Sequence, residues 1–120
     1  MIRPIVAALL LSAVGAVGAA AQDRRLEPAF ANTLVSTYPD GRVAKMWLER
    51  DGTYRGQGRK GGQTSGRWSL KGGQICMKQF RPVPVPFTYC TNIVEGGVGT
   101  RWNSKAVTGE PVRIELVAGR

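Results

Sequence analysis

Apolar and polar residues alternate with a period of two along most of this chain. Glycine-bearing turns cut the alternation at intervals of roughly ten residues. In 63–70, Thr64, Gly66, Trp68 and Leu70 share one side while Gln63, Ser65, Arg67 and Ser69 share the other. Val112, Ile114 and Leu116 alternate with Arg113 and Glu115, and Phe87, Tyr89, Thr91 and Ile93 with Thr88, Cys90 and Asn92. Successive strand side chains point to opposite faces, so each pattern describes a strand with one face turned inward. The breaks, among them Pro39-Asp40-Gly41, Asp51-Gly52, Lys60-Gly61-Gly62 and Lys71-Gly72-Gly73, carry the glycine that tight hairpin turns require.

The pattern predicts about eight strands, over 32–38, 42–50, 53–59, 63–70, 74–80, 87–94, 98–103 and 112–117. The segment 42–50 also fits a helix through Val43, Met46, Trp47 and Arg50. Its Asp-Gly boundaries and short length favour a strand. A single helical turn is expected around 26–31. The fold class is therefore all-β: a small antiparallel barrel in meander order, or a sandwich, of one domain over 22–120. Closing a barrel would remove the exposed strand edges.

The two cysteines test the register. If 74–80 and 87–94 form a hairpin centred on Val83, Cys76 stands directly opposite Cys90, within disulfide reach of a cross-strand pair. The connecting loop Arg81-Pro82-Val83-Pro84-Val85-Pro86 has alternating prolines that favour stiff polyproline geometry, so it is expected to project. Such a bridge closes about 15 residues and contributes roughly 3 kcal/mol in the chain-entropy view.

The first residues follow another rule. Arg3 precedes an apolar run from Ile5 to Val17, too short for the ~20 residues of a membrane span. Ala19-Ala20-Ala21 then offers a small-residue cleavage pattern. This reads as a cleavable secretory leader over 1–21, cut between Ala21 and Gln22, which sends the chain to the periplasm or beyond. An oxidising compartment suits the cysteine pair.

Charge changes the picture further. The formal net charge is +9. The cations Arg42, Lys45, Arg50, Arg55, Arg59, Lys60, Arg67, Lys71, Lys78 and Arg81 fall in one half of the sequence, opposed there only by Glu49 and Asp51. Such asymmetry predicts a positive face that attracts polyanions. Arg42, Lys45, Arg55, Arg59, Lys60, Arg67 and Lys71 are the candidate anion contacts. Trp47 is the candidate exposed aromatic.

The chemistry that is missing is equally informative. The chain has no histidine, which removes the commonest general base and the Ser-His and Cys-His nucleophile pairs. No metal or cofactor site is expected. Glu49 and Asp51 are the only closely spaced carboxylates, and Asp51 sits in a turn sequence that uses such a residue itself. Gly56-Gln57-Gly58-Arg59-Lys60-Gly61-Gly62 has the composition of a phosphate loop but lacks the following helix, so a bend or barrel corner is expected there.

Asp51-Gly52-Thr53-Tyr54, Gly66-Arg67-Trp68 and Gly73-Gln74-Ile75-Cys76 together resemble small exported bacterial proteins of the lipocalin-like, or calycin, kind. In those proteins a Gly-x-Trp motif lies on a barrel strand and its tryptophan closes one end. The motif is central here rather than near the start of the domain. The resemblance implies a β-barrel, and functions that range from small-ligand binding to protease inhibition.

These observations lead to one expectation. The chain is a non-enzymatic exported binding module whose basic face takes an anionic envelope component or an acidic protein; nucleic acid is not the expected partner. The alternatives are an exported inhibitor of the calycin type, acting through Arg81, Pro82, Pro84 and Pro86 or through the segment 22–25, and a structural envelope protein.

Overall fold

The computed structural model describes residues 24–120, so the expected leader and its cleavage point lie outside the described residues. A 3-10 turn (Arg24–Leu26) runs into a one-turn helix α1 (Glu27–Phe30). Eight strands follow: β1 (Thr33–Thr37), β2 (Val43–Leu48), β3 (Thr53–Gln57), β4 (Gln63–Lys71), β5 (Gln74–Arg81), β6 (Tyr89–Asn92), β7 (Arg101–Lys105) and β8 (Pro111–Val117). All pairings are antiparallel, in the order β6-β5-β4-β3-β2-β1-β8-β7. First and last strands pair through Leu34 opposite Leu116, which curls the meander into a nearly closed barrel. Segment 42–50 is strand, not helix.

The seam lies between β6 and β7, which share no backbone ladder. Side chains bridge it instead: the Tyr89 hydroxyl donates to the Lys105 carbonyl, and Thr91 Oγ1 sits 3.4 Å from Ser104 Oγ. Prolines at 82, 84 and 86 carry no N–H to donate, so β6 begins only at Tyr89 and is shorter than the alternation suggests.

The hairpin register is the expected one. Cys76 pairs with Cys90 and Met77 with Tyr89, and a disulfide joins the two cysteines. Its loop is less free than its prolines suggest. The Val85 N–H donates to the Gln79 carbonyl at 3.1 Å, and Lys78 Nζ donates to the Val85 carbonyl. The loop therefore folds back towards the barrel, and Val83 is left at its tip, 59% exposed.

The buried cluster of the barrel gathers towards one end. Leu26, Ala29 and Phe30 of the N-terminal turns join Leu48, Tyr54, Trp68, Ile75 and Leu116 in one buried cluster. Trp68 is its anchor: it lies against Phe30 at 5.8 Å between ring centroids and donates its indole N–H to the Glu49 carbonyl at 2.9 Å. The chain's last residues strap the same end. Thr33 Oγ1 donates to the Gly119 carbonyl (2.7 Å), the Gly119 N–H to Asn32 Oδ1 (2.9 Å), and the Arg120 guanidinium to Glu49 (3.0 Å) and the Leu48 carbonyl. No helix among the described residues is long and apolar enough to cross a membrane.

Candidate functional site

A cavity of about 390 Å³, within the ~300–1,000 Å³ of ordinary small-ligand sites, runs from the buried cluster, where Leu26, Ala29, Tyr54 and Ile75 line it, towards the opposite end of the barrel. Its walls are apolar for the most part, through Leu34, Ala44, Met46, Met77, Trp102, Val112 and Ile114, with Leu48 and Leu116 as floor. Ser36, Thr64, Gln79 and Thr91 add a few hydroxyl and amide groups. Alternation explains the set: Ala44, Met46 and Leu48 on β2, and Val112, Ile114 and Leu116 on β8, are every second residue. The cavity stays open because several inward side chains here are small. Ser36 faces Ala44 across β1 and β2, and Gly56 faces Thr64 across β3 and β4.

Four turns and loops surround the open end: 38–42, 58–62, 82–88 and 106–110. Arg59 fastens three of the turns together. Its guanidinium forks onto Glu110 at 2.8 and 3.2 Å, lies 3.8 Å from Asp40, and stacks over the Tyr38 ring at 4.1 Å. The hydrogen bonds from Arg59, helped by Thr108, hold the Glu110 carboxyl below the usual carboxylate range. Val85, Phe87 and Val107 supply the rest of the lip.

The candidates for anion contact divide accordingly. Arg59 is neutralised in the rim. Arg42 and Lys60 are exposed in turns at the open end, and Lys71 ends β4 at the packed end. Lys45 on β2, Arg55 on β3 and Arg67 on β4 point outward on successive strands, joined by Lys78 on β5, which pairs with Arg67. Between Arg55 and Arg67 the outer surface has a shallow dent, walled by Thr53, Ser65 and Phe80. A register shift lies beside it, between Ser65 and Gly66, and Phe80, on the outer face with Lys78, is 42% exposed. The dent was not legible in the alternation, because a bulge is a long-range feature of the ladder.

Trp47 lies on this outer face but is half-buried rather than exposed. Its indole N–H donates to Thr33 Oγ1 at 2.8 Å, and Arg55 covers its ring at 5.4 Å.

The carboxylate pair has structural partners. Asp51 Oδ1 accepts from the Thr53 hydroxyl (2.6 Å) and N–H (3.0 Å), which keeps its carboxyl below the usual range and ionised. Glu49 meets Arg120 at 3.0 Å and Arg55 at 3.5 Å. The glycine-rich stretch 56–62 forms the β3–β4 hairpin turn, with Gly61 at φ +91°. Sequence reasoning missed the cavity altogether. Its signal is the small residue at Ser36, Ala44, Gly56 and Thr64, which only the register brings face to face. Comparison with family models, curated proteins and solved structures returns no match.

Proposed function

We propose that this chain is an exported, non-enzymatic binding protein that holds a small apolar or amphipathic molecule in the open half of its barrel. One observation carries the reading: a single eight-strand wall gathers its buried cluster at one end and still leaves about 390 Å³ of interior, lined mostly by apolar side chains, that runs from that cluster towards the other end. Native interiors are close-packed, so an open apolar space of this size that reaches the surface suits a guest better than the chain's own side chains.

Dodecanoic acid and dodecanol are suitable probes. Both should saturate the mature protein at one site. Ala44→Phe, which fills the space opposite Ser36, should weaken both at least tenfold without lowering the melting temperature. Undiminished affinity in that variant would place the ligand elsewhere.

A second reading keeps the outer face as an anion site. The dent between Arg55 and Arg67, with Phe80 as its wall and Lys78 Nζ 5.9 Å from the Phe80 ring, offers cations and one aromatic face together. A polyanion such as heparin should then bind with an affinity that falls steeply as salt rises. Arg55→Glu with Arg67→Glu should reduce that binding at least tenfold and leave dodecanol binding intact. Salt-independent binding would argue against this reading.

A further inference from the structure

We infer that the open end of the barrel is a docking surface for an anionic lipid bilayer. Loops 82–88 and 106–110 stand side by side there, because the Tyr89 hydroxyl on one side of the seam is bonded to the Lys105 carbonyl on the other. They present Val83 (59% exposed), Phe87 (48%) and Val107 (58%) to solvent. Large apolar side chains clustered on adjoining loop tips are an unusual surface for a small water-facing domain, and they fit the boundary between headgroups and acyl chains.

Charge identifies the occupant. Arg81 and Lys105 are exposed at the strand ends that lead into these two loops, and Arg42 and Lys60 are exposed in the neighbouring turns. The carboxylates at this end, Asp40 and Glu110, are both drawn to Arg59. What faces outward is therefore an apolar tip ringed by cations. Each cation near an anionic leaflet strengthens binding by roughly fivefold, so zwitterionic lipid should bind far less well. A second copy of the chain fits poorly, since a two-fold contact through this end would set Arg81 and Lys105 near their own counterparts. The surface is distinct from the dent on β3 and β4, and it adjoins the cavity, whose lip includes Phe87 and Val107.

Co-sedimentation of the mature protein with vesicles tests the inference. Vesicles of phosphatidylcholine with about one-third phosphatidylglycerol should bind it at least tenfold more tightly than phosphatidylcholine alone, and molar salt should remove most of that preference. Val83→Ser with Val107→Ser removes apolar area from exposed loop residues and should weaken binding several-fold at every salt concentration. Arg81→Glu with Lys105→Glu should abolish the preference for anionic lipid, while Arg55→Glu with Arg67→Glu should retain it. Far-ultraviolet circular dichroism and the intact disulfide mass confirm that each variant is folded. Equal affinity for both vesicle types, absence of binding to either, or a loss confined to the Arg55 and Arg67 variant would overturn the inference. So would a dimer in sedimentation equilibrium that dissociates on Val107→Ser.

Discussion

Replacing Gly66 by alanine is expected to cost more stability than any other single-methyl addition in this barrel. Gly66 is buried in β4, opposite Gln79 at the point where the β4–β5 ladder shifts register. A Cβ there would run into the Lys78 carbonyl oxygen and would lie 2.9 Å from Gln79 Cα. Both obstacles are backbone of the neighbouring strand, so no rotamer change relieves them. Either the ladder separates or the bulge is rebuilt. Overpacking of this kind costs about 3 kcal/mol or more, a large share of the ~5–15 kcal/mol that holds a small domain together. Gly73→Ala, where an added Cβ meets nothing within 4 Å, is the matched control and should change stability by less than ~0.5 kcal/mol. Urea midpoints of the two variants decide the matter; similar midpoints would mean that the two strands do not approach each other so closely.

The second large effect separates the two halves of the barrel. Trp68 is 4% exposed and anchors the packed end through Phe30 and the Glu49 carbonyl. Trp68→Ala should cost about 3–5 kcal/mol, by cavity formation and the loss of that hydrogen bond. It should also release α1, so that limited proteolysis cleaves near Arg24 and Arg50. Trp102, the same residue type on β7, lines the cavity and does not belong to the buried cluster. Trp102→Ala should therefore cost much less stability and change ligand affinity instead. Equal destabilisation by both substitutions would mean that the barrel is packed from end to end.

Trp68 and the cysteine pair also show what was readable in the chain. Alternation placed Trp68 on an inward face, and the proline loop centred on Val83 set the Cys76–Cys90 register. Both deductions rest on rules local to one strand or one hairpin, where the pleat fixes facing. That the interior is filled at one end and open at the other depends on which small residues meet across strands. Ser36 opposite Ala44, and Gly56 opposite Thr64, each meet across one hairpin, but that the two pairs border one interior space follows only from how the hairpins join in the wall. The charge run was legible as a quantity, but its division was not. Lys45, Arg55 and Arg67 share an outer face, whereas Arg59 is drawn into the rim by Glu110, a residue 51 positions away. Such long-range ion pairing leaves no trace in local periodicity.

The proposal that the open half holds a guest can be read directly from two side chains. Met46 and Met77 both line the cavity, and the remaining methionine is Met1, within the expected leader. With methyl-labelled methionine, adding dodecanoic acid should shift both methyl resonances along one saturating curve, and Ala44→Phe should suppress the shifts. Methyl signals that stay in place while the acid binds would contradict an interior site.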